Sequence, residues 1–247
     1  MARGLVAVAA VLLLADQAAA ADAGKIAKEE MSWRARKRTY YLYVPTGVAR
    51  DRKLPLVVTL HGSGRNGESL ISKWKGVAET EKIVLVGPDS TDQRAWTSPI
   101  DGPLFLRDLV DRVASQYPID DRRVFVFGHS GGAVFALQMG ALESEYFAAV
   151  AVHAGSLQPV SVLSYAARKI PFLIFIGTRD AFFPLDVVRE TRDALTSRGF
   201  PVEYVEMPGH THDYYGSARE INAKTWEFFQ KNPLPADQKY TAYQDPD

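Results

Sequence analysis

The chain has 247 residues, and its 29 Lys+Arg are balanced by 29 Asp+Glu, so the formal net charge is +0; no basic field favours nucleic acid and no acidic field favours cationic partners. A hydrophobic share of 47% with 23% charged residues excludes a disordered or fibrous chain. A cysteine count of 0 excludes disulfide stapling and thiol catalysis.

The stretch from Met1 to Ala15 carries one arginine and then an apolar run. That run is too short for a bilayer, which needs about 20 residues. Asp16 and Gln17 interrupt it, and the small residues from Ala18 to Ala21, before Asp22, offer an A-x-A cleavage site. This predicts a secretory leader over residues 1–21. With no cysteine for lipid attachment, the expected product is free, secreted or periplasmic, with no membrane anchor. Nothing in the sequence sets an oligomeric state.

From Met31 the chain alternates strands with helices, and one folded unit is expected over residues 31–232. Thr39 to Pro45 alternates in twos like a half-buried strand. Leu56–Leu60, Ile83–Val86, Val124–Phe127, Ala148–Val152 and Phe172–Ile176 are short continuous apolar runs, as in strands buried on both faces of a parallel sheet. Helical patterns fall near 104–116, 131–142, 185–198 and 217–230, and a last strand is expected from Val202 to Met207. The fold class predicted is α/β: a doubly wound, mostly parallel sheet whose functional groups lie on loops at the strands' C-terminal ends. The stretch between Val152 and Pro171 is too short for a large lid domain. A loose tail is expected over residues 233–247.

Gly128-His129-Ser130-Gly131-Gly132 is the one G-x-S-x-G match. It directly follows the run 124–127 and precedes the helical pattern from 131, which is the strand, sharp turn and helix that a nucleophilic serine needs. A hydroxyl becomes a nucleophile only when a base takes its proton. In this arrangement the partners follow in the order Ser, Asp or Glu, His. Of the five histidines, His61, His129, His153, His210 and His212, only the last two come late enough. They are separated by one residue, so in an extended loop only one faces the serine, and spacing alone does not choose. His61, His129 and His153 are read as structural. Asp180, just past the strand 172–176, is the expected orienting acid, because Asp186 and Asp193 fall in the following helix.

The turn Leu60-His61-Gly62-Ser63-Gly64 follows the run 56–60. It is expected to aim the backbone N–H of Ser63 at a reacting carbonyl oxygen, with the N–H of Gly131 as second donor. It lacks the spacing of a phosphate-binding loop.

These two segments, with Gly177-Thr-Arg-Asp180 and Gly209-His-Thr-His-Asp-Tyr-Tyr215, make four that stand in order across residues 56–216. The chain resembles the α/β-hydrolase superfamily. Within it, the chain is most similar to the esterase branch holding polyhydroxybutyrate depolymerase-like proteins, feruloyl and acetylxylan esterases and S-formylglutathione hydrolases. The resemblance implies hydrolysis of carboxylic esters through an acyl-enzyme, with no cofactor and no metal, on a small-molecule or polymer-borne ester. It also implies His212 as the base, since His212-Asp-Tyr-Tyr215 resembles the corresponding stretch of related esterases. The chain departs from polyester depolymerases in lacking a cysteine near the oxyanion turn.

Trp96, Phe182, Phe183, Tyr214 and Tyr215 fall on loops at the catalytic edge and are candidates for an acyl or aryl pocket. Trp226, Phe228 and Phe229 read as core. Three other readings are weighed: metal-dependent hydrolysis through His210, His212 and Asp213, a non-catalytic binding protein, and polyester, thioester or peptide cleavage by the same triad.

Overall fold

The computed structural model describes residues 23–49 and 52–236; the expected leader over 1–21 and the tail beyond 236 lie outside the described residues. The strands are β1 (Ile26–Trp33), β2 (Arg36–Tyr43), β3 (Leu54–Leu60), β4 (Val84–Pro88), β5 (Ile119–His129), β6 (Ala149–His153), β7 (Phe172–Gly177) and β8 (Val202–Met207). The helices are α1 (Glu68–Glu81), α2 (Pro103–Gln116), α3 (Gly131–Leu142), α4 (Leu185–Thr196) and α5 (Tyr214–Lys231). All eight strands form one sheet in the order β1-β2-β4-β3-β5-β6-β7-β8. The pairs β1–β2 and β2–β4 are antiparallel and the rest are parallel.

Side chains alternate across each strand, so the sheet serves two cores. Leu56, Val58, Val84, Val86, Val124 and Val126 face the layer of α2, α3 and α4, where Phe105, Leu109, Phe135 and Val188 meet them. Val57, Leu85, Phe125 and Phe127 face α1 and α5, against Trp74, Ile221 and Phe229. Burial on both faces is the reason these strands read as continuous apolar runs rather than alternating ones. Trp226, Phe228 and Phe229 belong to the second core.

Among the described residues strand structure is present from Ile26, ahead of the boundary expected at 31. This first strand pairs with β2 through a turn in which Arg34 and Ala35 take positive φ, 46° and 59°. At the other end Leu234 is buried, its N–H donating to Arg122 O (2.8 Å) and its carbonyl accepting from Arg122 Nε (2.7 Å), so the chain stays packed past 232. Between β6 and β7 lies one short 3₁₀ turn, Val160–Tyr165, and no lid domain. No helix among the described residues is long and apolar enough to cross a membrane.

Next to the future site, the loop after β4 is tied to a buried ion pair. Arg38 Nη2 donates to Asp101 Oδ1 at 2.7 Å, with side-chain exposures of 5% and 0%. Asp101 also accepts from the N–H groups of Thr91 (3.0 Å) and Thr97 (2.9 Å). Both oxygens of a carboxylate held out of water thereby meet donors, the condition for such a pair to be tolerated.

Candidate active site

The chain leaves β5 at His129 and enters α3 at Gly131, and the single residue between them, Ser130, has φ 57° and ψ −123°. A non-glycine residue in that region is strained and persists only where its surroundings impose it. Here the glycines on either side permit it. A Cβ on Gly132 would stand 2.0 Å from Leu60 O, and one on Gly128 would stand 2.3 Å from Gly132 O. The N–H of Ser130 donates to His153 O at 3.1 Å. The hydroxyl is thus held above the sheet edge at the N-terminus of α3.

His212 comes from the loop between β8 and α5, one residue before Asp213, which caps α5 by accepting from the N–H of Gly216 at 3.1 Å. His212 Nε2 lies 2.9 Å from Ser130 Oγ, and its Nδ1 lies 2.8 Å from Asp180 Oδ2. The other oxygen, Asp180 Oδ1, accepts from the N–H groups of Phe182 (2.8 Å) and Phe183 (2.9 Å). A carboxylate only accepts, so Nδ1 of His212 carries the proton and Nε2 offers its lone pair to the hydroxyl. The sequence left His210 and His212 open by spacing; the structure brings His212 to the serine and turns His210 away. His210 Nε2 contacts His153 Nε2 at 3.0 Å, and Asp213 is engaged in its cap, so the three residues of the metal reading point apart.

The turn after β3 packs on the serine. A Cβ on Gly131 would lie 2.8 Å from Ser63 Oγ and 3.6 Å from Ser63 N, so the two residues whose N–H groups were predicted as oxyanion donors pack against each other. Neither N–H takes part in a hydrogen bond among the described residues. His61 fixes this turn: its Nε2 accepts from Ser90 N–H (3.2 Å), which leaves Nδ1 to donate to Gly62 O (2.9 Å). That carbonyl belongs to the same peptide unit as the N–H of Ser63, and the planar, trans peptide points the two in opposite directions. Burial lowers the pKa of His61, keeping it in the neutral form this arrangement needs.

The aromatic candidates divide. Phe182 is 73% exposed with its ring centroid 4.7 Å from that of His212, and Phe183 stacks on His212 at 5.8 Å. Trp96 is half-buried, stacked on Phe135 at 5.2 Å, with its Nε1–H donating to His61 O at 2.9 Å. Tyr214 is instead core: it is fully buried in the first turn of α5, and its hydroxyl donates to Asn222 Oδ1 at 2.7 Å. Tyr215 lies under the Arg65 guanidinium, 4.9 Å from its ring.

A feature the sequence did not show lies behind His212. His129 and His153 are register partners on β5 and β6, and their Nδ1 atoms are 3.1 Å apart. With His210 they form a row of three imidazoles. Burial, reinforced by the nearby His212, holds His129 down at about 4; burial and the imidazoles of His129, His210 and His212 hold His153 down at about 2. An unfolded histidine titrates near ~6.5. As pH falls below that value the unfolded chain takes up protons that these two residues refuse, so their contribution to stability is complete above ~6.5 and declines towards 4. The expected result is a melting temperature that is level above neutrality and drops between pH 6.5 and 5, before carboxylates titrate. The slope contributed approaches about 1.4 kcal/mol per pH unit for each imidazole. A melting temperature unchanged across that window would contradict the neutral, buried assignment.

A mostly parallel sheet carrying a serine on a strained strand–helix turn, with histidine and carboxylate delivered from the loops after β8 and β7, defines an α/β-hydrolase. Residues 92–234 match the Dienelactone hydrolase family, and the chain belongs to that family. A protein named as an esterase, NocK of Nocardia uniformis subsp. tsuyamanensis, is 29% identical over 180 residues, covering 67% of this chain and 52% of the relative. The bifunctional acetylxylan esterase/xylanase XynS20E of Neocallimastix patriciarum is 28% identical over 149 residues, 58% of this chain and 21% of the relative. The chain therefore spans about half of the first and about a fifth of the second. Among solved structures, the CE1 ferulic acid esterase AmCE1/Fae1A of Anaeromyces mucronatus superposes with a TM-score of 0.68 at 19% identity, over 84% of this chain and 90% of that one. This likeness is one of fold.

Proposed function

We propose that the protein is an exported serine carboxylic ester hydrolase acting through Ser130, His212 and Asp180. The observation that carries this reading is the unbroken row Ser130 Oγ–His212 Nε2–Asp180, at 2.9 and 2.8 Å. In it His212 takes the Ser130 proton as Oγ attacks the ester carbonyl. The oxyanion rests on the N–H groups of Ser63 and Gly131, and the proton passes to the departing alcohol. Water, deprotonated by the same imidazole, then releases the acyl group and restores Ser130. Asp180 stabilises the imidazolium that forms at each step, and no metal or cofactor enters the scheme. Labelling by a fluorophosphonate, lost in Ser130→Ala and insensitive to chelator, tests it; a folded protein that neither labels nor turns over esters would instead be a binding protein.

For the substrate we propose short-chain or polysaccharide-linked esters. Supporting this are the short 153–172 connection, which leaves the serine uncovered, and the exposed Phe182 beside His212, a surface for a small acyl or aryl group. The acetylxylan esterase relative and the ferulic acid esterase of like fold are consistent with it. On p-nitrophenyl esters, kcat/KM is expected to fall by about tenfold or more from acetyl to decanoyl, without a rise when substrate becomes micellar. A sharp increase on emulsified long-chain triglyceride would overturn this, and preference for polyester film, thioester or peptide would redirect it. Export is supported by the apolar leader over 1–21, and the N-terminal sequence of the product recovered outside the cytoplasm tests it.

A further inference from the structure

We infer that His153 is a positioning residue for the reaction, joined to His129 on one side and to His210 on the other, and that it fixes the base loop so that His212 meets Ser130. This rests on the reading of His212 as base.

The loop between β8 and α5 offers two imidazoles two residues apart, and alternation puts them on opposite sides. The backbone there is anchored: Arg179 N–H donates to His210 O at 2.9 Å, and that carbonyl sits so close to β7 that a Cβ on Gly177 would stand 2.2 Å from it. What remains to be decided is which ring turns inward. His210 is captured by His153 through the Nε2–Nε2 contact of 3.0 Å, with Ser217 Oγ at its far nitrogen, 3.5 Å away. With His210 held on that side, His212 has the other.

His153 is placed to do this because it grips both partners at once. Its backbone carbonyl accepts from Ser130 N–H, and its ring reaches the loop that carries His212. The ring is itself steadied by His129, 3.1 Å from its second nitrogen, which packs against both His212 (5.0 Å between centroids) and Tyr214 (5.3 Å). A neutral imidazole has one donor and one acceptor at diverging ends. Two nitrogen–nitrogen contacts in series are therefore satisfied only if each ring donates in the same direction along the row. His153 must supply one donor and one acceptor, and an apolar ring of similar size supplies neither.

The test compares His153→Phe, His210→Phe, the double variant and His210→Gln in the full mature protein on p-nitrophenyl acetate. The two Phe variants are expected to lose about 10–100-fold in kcat with KM within about threefold, the signature of misplaced groups rather than lost substrate binding. The double variant is expected to be no worse than the singles, since both remove one link. His210→Gln, whose side-chain nitrogen reaches the place of Nε2, is expected to recover most of the loss. Wild-type kcat in folded Phe variants, additive losses, or a Gln variant as impaired as the Phe variant would each overturn the inference. If His153→Phe does not fold, the His210 pair, on a half-exposed loop, decides. Ser130→Ala and His212→Ala run alongside: if they keep turnover the proposed function itself falls, whereas if they are inactive while the chain variants are unaffected only the positioning role falls.

Discussion

Ser130→Ala is expected to abolish hydrolysis of p-nitrophenyl acetate to the level of the residual site, a loss on the order of 10⁴–10⁶-fold in kcat. The substitution removes one oxygen at a half-buried position and leaves the turn intact. The N–H of residue 130 still donates to His153 O, and the glycines at 128 and 132 still allow the close approach of β5, α3 and β3. Folding, followed by circular dichroism and melting temperature, is therefore expected to be preserved. Whatever activity remains would come from the paired N–H groups of Ser63 and Gly131, which the change does not touch. Because nucleophile and base act as a unit, adding His212→Ala to Ser130→Ala is expected to cost little more. Wild-type-like turnover in Ser130→Ala would remove the whole assignment.

The second large effect separates the two late histidines. His212→Ala is expected to lose turnover by about 10⁴-fold or more while staying folded, since the ring is partly exposed and its removal leaves no large cavity. It also strips Asp180 of its partner, but that carboxylate keeps the N–H groups of Phe182 and Phe183. His210→Ala, by contrast, is expected to retain measurable activity, because the His210 ring meets His153 rather than Ser130, and its backbone bond to Arg179 survives the change. Parallel measurement of kcat and melting temperature checks both. The reverse pattern would move the base to His210 and leave Ser130 and Asp180 in place.

The sheet's central strands were legible because burial on both faces writes itself as unbroken apolar runs. Val124–Phe127 and Phe172–Ile176 announce β5 and β7, and the residues that follow them, Ser130 and Asp180, inherit a position from those strands. The edge was not legible. β1, with the sequence IAKEEMSW, is half polar because one side of it meets solvent, and its turn is built on Arg34 and Ala35 rather than on the Asn-Gly or Asp-Gly that usually marks a hairpin. α1 was missed for a similar reason. Gly67 gives it no side-chain cap, and although Leu70, Ile71, Trp74 and Ala78 keep helical spacing, only these four of its 14 residues are buried. The choice of His212 over His210 came from resemblance and not from spacing, since what separates them is the rotation of one loop. The imidazole row was out of reach altogether. It depends on β5 and β6 being neighbours in a register that pairs His129 with His153, a relation between strands that no local pattern encodes.

The two ends of the sheet have a bearing on how the protein behaves in solution. A formal net charge of +0 provides no general repulsion between copies, so molecules that drift together are not pushed apart by long-range fields. Among the described strands β1 and β8 each have a neighbour on one side only, and an open strand edge is a template on which another sheet can grow. β1 presents Lys28, Glu29 and Glu30 along its length, and β8 presents Glu203 and Glu206. Docking a second sheet at either end would strip water from those charges, among them Glu206, which is paired with Arg189 beside β8. Within the described sheet, what resists edge-to-edge growth is thus local, a few charged side chains on two border strands.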